Sequence, residues 1–341
     1  MKTFSKNGFG TKFIAASTFI FSMSAQVGAS ELIPAYGLAH DEYAYTDQAG
    51  PYGVDTSAVV ADCRGLVGTL AKLVLTDPDV QCNESFPYGF KSPVSTNVYY
   101  PENIKELDKL PVVNFVGGIL SNEGQYTNLV RQWASYGFIV VVSSDFINSW
   151  PTMHILGALE VSKLNKDPAS PLYGKADLTR TVVAGHSAGG GASILASSLP
   201  DAALRLIDPD LKLVGSLPVE PGPLGVGALV RVPTLILTGA ADVVVPAFTW
   251  PLLWQNGTIK DTPAWFATAR NATHFSPVRG NAKNEFAGIT TAWLLYAAKS
   301  DSNAAGYFVG PDYKLSKDSQ FIQSRLNPLR VQRNSVAAAL K

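Results

Sequence analysis

Charge is scarce in this chain: Asp, Glu, Lys and Arg make up 16% of 341 residues, with 27 basic side chains against 27 acidic ones. Globular domains usually carry about a quarter. There is no run of like charge and no basic stripe, which excludes a nucleic-acid partner, because phosphate binding needs clustered Lys and Arg. Cysteine is reduced to Cys63 and Cys82, and the chain has four histidines. No histidine stands at ligand spacing from either cysteine, so no metal site is expected. No apolar run reaches the roughly 20 residues of a membrane-spanning helix. Internal repeats and low-complexity tracts are absent too. What is abundant is apolar surface, 46% of the residues, enough to bury a substantial core.

The first 29 residues read as an export signal, residues 1–29, rather than as part of the fold. Lys2, Lys6 and Lys12 make a positive leader without an acidic residue, and an apolar stretch from Phe13 to Ala25 follows. Val27-Gly28-Ala29 then suits cleavage after Ala29. That predicts a secreted or periplasmic protein, with no membrane span and slightly acidic once three lysines are lost. In an oxidising compartment Cys63 and Cys82 can close a local disulfide, which loop entropy values at about 3 kcal/mol.

Residues 30–92 are rich in Gly, Pro and Tyr. They read as an irregular segment packed on the main domain, with one helical stretch near Arg64–Leu75. From residue 93 to 300 short apolar runs alternate with helical stretches. Strands are predicted at 94–100, 110–116, 138–144, 179–184, 211–217, 234–238 and 264–268. Helices are predicted at 126–135, 153–164, from Ser187 to Leu199, and 288–298. Runs of five to seven apolar residues between helices mark a mostly parallel α/β sheet covered on both faces. Residues 301–341 read as a polar tail.

One segment carries the chemistry. Gly185-His186-Ser187-Ala188-Gly189 follows a β-branched strand directly and opens a helix. A serine on so sharp a turn exposes its hydroxyl, and the flanking glycines leave room where side chains would clash. This is the nucleophile elbow of the α/β-hydrolase fold, with Ser187 as nucleophile. A serine needs a base, and the fold's chain order is Ser, acid, His. Of the histidines, His40 and His154 precede the elbow, and His186 points elsewhere on the turn. His274 alone fits the order. The acid lies between, and Asp242 follows the 234–238 strand where an orienting carboxylate belongs. Glu220, after the preceding strand, is its rival, though Pro221-Gly222-Pro223 suggests a loop turning away. Asp208 and Asp210 precede a strand and fall at the wrong edge. An oxyanion hole needs two amides. One is expected from Ala188, the other from the Gly117-Gly118-Ile119 loop.

These residues resemble the bacterial cutinase-like polyester hydrolases, related to the dienelactone-hydrolase-like esterases, over roughly Val98 to Phe308. Gly185 to Gly191 is similar to that family's elbow, with Ala188 where methionine is usual. Arg231 to Leu237 with Asp242 resembles its acid-bearing strand, Thr273 to Pro277 its histidine loop, and Ala292-Trp293 its closing helix. Gly118-Ile119-Leu120 and Trp133 to Phe138 resemble its oxyanion loop and following helix, which implies that Ile119 supplies the second amide. Four features depart from the family. Ile119 replaces the usual aromatic clamp, and Glu220 to Leu224 occupies the stretch where a substrate-stacking tryptophan is usual. The pair Cys63 and Cys82 lies in the N-terminal segment rather than near the C-terminus, and the first ninety or so residues have no clear counterpart.

The expectation is therefore a serine carboxylic-ester hydrolase working through an acyl-enzyme on small or polymeric esters, with short or medium aliphatic acyl groups and no cofactor. Amide hydrolysis by the same triad, and a non-catalytic binding protein on a hydrolase scaffold, are the alternatives. Sequons stand at Asn83, Asn256 and Asn271, and a glycan on Asn271 would crowd His274.

Overall fold

Apolar, β-branched runs bounded by Gly, Pro and polar turns become the strands of one sheet. The computed structural model describes residues 37–44, 50–75, 80–83 and 94–340. The leader expected at 1–29 lies outside the described residues. In chain order the strands are β1 (Val54–Thr56), β2 (Val60–Asp62), β3 (Gln81–Asn83), β4 (Ser95–Pro101), β5 (Leu110–Val116), β6 (Ile139–Ser144), β7 (Ala176–His186), β8 (Leu213–Val219), β9 (Thr234–Gly239), β10 (Ala264–Ala269) and β11 (Gln332–Arg333). The longer helices are α1 (Leu38–Tyr43), α2 (Gly65–Leu75), α3 (Thr127–Ser135), α4 (Thr152–Lys166), α5 (Ala188–Ala196) and α6 (Ala287–Lys299).

The main sheet has nine strands in the order β1-β4-β6-β5-β7-β8-β9-β10-β11. Its centre, from β6 through β5, β7, β8 and β9 to β10, is parallel. Antiparallel strands flank it on both sides. Register is set by residues buried on both faces: Val113 of β5 lies between Val140 of β6 and Val182 of β7. A strand so placed cannot alternate polar and apolar residues, which is why β5 and β6 read as unbroken apolar runs.

Two buried clusters cover the sheet. One holds Trp133 of α3, Trp293 of α6, Trp265 of β10 and Tyr43 of α1; the other holds Val161 of α4 and Ala196 of α5. The stretch after residue 300, read as a polar tail, joins the first cluster. Its Tyr307, Phe308, Leu315 and Phe321 are fully buried. The Trp265 indole N–H donates to the Phe308 carbonyl at 3.0 Å. Widely spaced apolar residues among polar ones hid this packing from the sequence.

Within the segment 30–92, the described residues carry more regular structure than its composition suggests. β1 adds to β4 as an edge strand, and β2 and β3, with α2 between them in the chain, pair antiparallel as a separate two-stranded ribbon. Cys63 and Cys82 are joined by a disulfide. That ribbon seats on the turn before α3: the Asn83 amide donates to Asn122 Oδ1 at 3.1 Å, and Gln125 Nε2 to the Gln81 carbonyl at 3.1 Å.

Candidate active site

The parallel strands all end at one edge, where loops from different strands converge. Ser187 sits on the turn between β7 and α5 with φ 55° and ψ −120°, a conformation that is strained for any residue but glycine. Packing enforces it. A Cβ on Gly185 would lie 2.2 Å from the Gly189 carbonyl oxygen, and one on Gly189 2.0 Å from that of Val116. The Gly189 amide donates to the Gly117 carbonyl at 3.0 Å, stitching the elbow to the loop after β5.

His274 follows β10 and is buried. Its Nε2 lies 2.9 Å from Ser187 Oγ and its Nδ1 2.9 Å from Asp242 Oδ2. Asp242 is held by its own loop, since Oδ1 accepts the Val244 and Val245 amides, each at 2.8 Å. With the other oxygen on the imidazole, that carboxylate fixes the tautomer in which Nδ1 carries the hydrogen and Nε2 faces the serine. The structure thus brings together the serine, histidine and aspartate named from chain order.

The two amides expected to line an oxyanion hole lie in the loop after β5, at Ile119, and at the start of α5, at Ala188. Gly118 N–H is taken by the Tyr126 hydroxyl at 2.9 Å, whereas Ile119 and Ala188 donate to no other protein group among the described residues. Leu120, at φ 60°, donates to the Phe146 carbonyl at 3.0 Å. Asn148, at φ 56°, donates through Nδ2 to the Gly118 and Ser121 carbonyls at 2.6 and 3.1 Å. Of the five non-glycine residues with positive φ among those described, Leu120, Asn148, Ser187 and Glu220 all lie in these loops.

Behind the triad lies a buried polar chain. Tyr126 accepts from Gly118, and its hydroxyl shares a hydrogen bond with His186 Nδ1, 2.8 Å away. His186 Nε2 lies 3.3 Å from Glu220 Oε2 with no hydrogen bond between them. The Pro221-Gly222-Pro223 run does not carry Glu220 away from the site. Its side chain is fully buried, 3.9 Å from His274 Nδ1. Burial, reinforced by the charge of Asp242, pushes this carboxyl well above the usual range. Burial holds the His186 imidazole well below its usual range, and nearby His274 adds to the effect.

His186, Glu220 and His274 also bring potential metal-ligand atoms within 4.8 Å of one another. Both imidazoles are already committed, His186 to Tyr126 and His274 to Asp242 and Ser187, so a cation there would have to break the hydrogen bonds described above. His40 and His154 lie elsewhere: His40 Nε2 faces the Asn281 carbonyl at 3.2 Å, and His154 lies between Asn114 and Ser193. Asp208 accepts from Ser162 and Lys166, away from the elbow.

Around the opening the loops expose Ile119, Leu120, Ile147, Trp150, Leu224, Val243, Val244 and Phe248. Trp150, 58% exposed, escaped the sequence reading because it sits in a loop after β6 with no motif around it. Tyr126 was read only as the start of a helix.

A central parallel sheet with a strained serine between strand and helix, and a histidine and a carboxylate arriving from later strands, defines a hydrolase of the α/β-hydrolase class. The sequence model of the PET hydrolase-like family matches residues 84–325. Cutinase 2 of Thermobifida cellulosilytica is 27% identical over 212 residues, covering 60% of this chain and 74% of that protein. Cutinase cut1 of Thermobifida fusca is 27% identical over 212 residues, and the match spans 60% of each protein. Cutinase est1 of Thermobifida alba is 26% identical over 229 residues, covering 65% of this chain and 71% of the relative. The chain belongs to the PET hydrolase-like family, and it is a carboxylic-ester hydrolase.

Proposed function

We propose that this protein hydrolyses aliphatic esters or polyesters by acyl transfer through Ser187, His274 and Asp242. The observation that carries the reading is the pair of 2.9 Å contacts that link serine to imidazole and imidazole to carboxylate. Ser187 Oγ attacks the ester carbonyl while His274 Nε2 takes its proton, and Asp242 stabilises the imidazolium through Nδ1–H. The Ile119 and Ala188 amides receive the tetrahedral oxyanion. Collapse expels the alcohol, which takes the proton from His274 and leaves an acyl-Ser187. Water then attacks that acyl carbonyl, His274 takes its proton, and the carboxylic acid departs as Ser187 recovers its hydrogen.

The acyl group is short or medium and aliphatic in this reading, lying against Ile119 and the loop at Leu224. The exposed apolar rim supports a substrate presented as a surface as well as a free molecule. Export is part of the proposal, with cleavage near Ala29, a catalytic domain that starts near residue 93 and includes the buried stretch after 300, and the disulfide formed outside the cytoplasm. The lysine-rich apolar leader and the Cys63–Cys82 bond support it.

The test is hydrolysis of p-nitrophenyl esters from acetate to palmitate by wild type and Ser187→Ala. Wild type is expected to prefer the short or medium chains, and the variant to lose about 10⁴-fold or more in kcat/KM. Equal turnover by the two folded proteins would remove Ser187 from the reaction. A palmitate optimum would overturn the acyl-chain assignment alone.

A further inference from the structure

An unpaired carboxyl in a protein interior is costly, and the fold accepts three separate costs to keep one at Glu220. Neither oxygen accepts a hydrogen bond, the nearby side chain being another carboxyl, Asp242, and burying such a group unpaired is unfavourable. The backbone there adopts φ 45°, a left-handed conformation unfavourable for a residue with a Cβ. Room for the side chain also depends on a glycine, since a Cβ on Gly239 would come 2.5 Å from Glu220 Oε1. A purely structural residue at this point would be apolar. What the three costs achieve is the placement of a carboxyl oxygen 3.9 Å from His274 Nδ1, the atom that Asp242 holds at 2.9 Å.

We propose that Glu220 is a second acid for His274, a positioning carboxyl held in reserve beside the imidazole N–H that takes over part of the role of Asp242 when Asp242 is lost. The inference rests on the triad reading given above. Two carboxyls so close to one imidazole cannot both ionise cheaply. Asp242 accepts two backbone amides and is the one equipped to hold the charge. Glu220, buried beside Asp242 and Glu285, with Arg279 the one opposing charge acting on it, stays protonated. The His186 imidazole faces its other side through Nε2. Remove the Asp242 charge and the main repulsion goes with it. Glu220 then ionises more readily and needs to close about 1 Å to accept the Nδ1 hydrogen, a shift within ordinary side-chain adjustment.

The experiment compares Asp242→Asn, Glu220→Gln and the double variant, with Ser187→Ala as the floor, on one p-nitrophenyl ester across pH. In a triad with a single acid, the Asp→Asn change costs about 10⁴-fold in kcat. Here D242N is expected to lose only about 10²-fold, and adding E220Q to remove a further tenfold or more in kcat with KM unchanged. The acid limb of the D242N profile should move to higher pH than in wild type, because its activity now needs an ionised Glu220, and in the double variant it should fall back to the limb set by protonation of His274 alone. A packing role for Glu220 would not move that limb.

Asp242→Ala provides a second background for the same comparison, should the amide misfold the Val244–Val245 turn. Two results would overturn the proposal: D242N and D242A at the Ser187→Ala floor, or a double variant equal to D242N in rate and profile. In either case an active wild type beside an inert Ser187→Ala leaves the esterase reading standing. If wild type itself is no faster than Ser187→Ala, the esterase reading fails and the second acid fails with it.

Discussion

His154 shows how a single side chain can tie stability to pH without touching chemistry. It is buried in α4, with Nδ1 3.3 Å from Asn114 Oδ1 and Nε2 3.3 Å from Ser193 Oγ, and burial pushes it down to about 3. The unfolded chain binds a proton at this group below about 6.5, while the folded chain refuses it until about 3. Folding stability is therefore undiminished above that upper value and is lost as pH falls through the window, by at most about 1.4 kcal/mol per unit. Urea midpoints at pH 4, 5 and 7 should fall more steeply for wild type than for His154→Gln. Parallel slopes would show that the burial penalty is met some other way. The same contrast separates what was legible from what was not. Ser187 announces itself by local glycines, and His274 and Asp242 by order after it. Tyr126, His186 and Glu220 meet only because β5, β7 and β8 lie side by side, and no spacing along the chain records that. Glu220 was visible merely as a rival acid, its neighbours Pro221 and Pro223 suggesting the wrong course for the loop.

At the scale of elements, the β2–β3 ribbon is tied to the chain just after the Ile119 loop. Its disulfide closes a loop with a sequence separation of 19, and its backbone is bonded to Asn122 and Gln125, next to the loop that bears Ile119. Glu123 between them is buried, accepting from Asn83, from Asn97 at 2.7 Å and from Ser95 at 3.2 Å. Replacing both cysteines by serine should cost about 3 kcal/mol by loop entropy, read as a lower urea midpoint. It should also lower kcat more than it raises KM if the Ile119 amide meets the transition state as proposed, because that loop loses its support. An unchanged kcat at a lower midpoint would confine the ribbon to stability. The central strands were readable because burial on both faces forces continuous apolar runs. β1, β2, β3 and β11 were not, being two or three residues of mixed polarity whose partners are remote in sequence.

For the molecule as a whole, the late segment belongs to the core. A chain ending at Ser300 would forfeit the burial of Tyr307, Phe308, Leu315 and Phe321, each worth about 1.5–3 kcal/mol, a total comparable to the 5–15 kcal/mol that holds a typical domain together. Such a truncation is expected to yield aggregated protein without a cooperative melt; a soluble, cooperatively melting product would show that these side chains merely decorate the surface. Composition alone pointed the other way, since polar residues separate the four aromatic and aliphatic anchors. Sheet order adds a consequence for biogenesis. The margin of β10 is covered by Gln332 and Arg333 and, at its end, by Phe321 and Ile322, all of which arrive more than fifty positions after it. A chain emerging from its N-terminus must hold that open strand, a template for pairing with neighbours, until nearly all the rest has been delivered. During synthesis or translocation, the interval between residues 269 and 332 is the window in which this protein is most exposed to mispairing with other chains, and in which a holdase would protect it most.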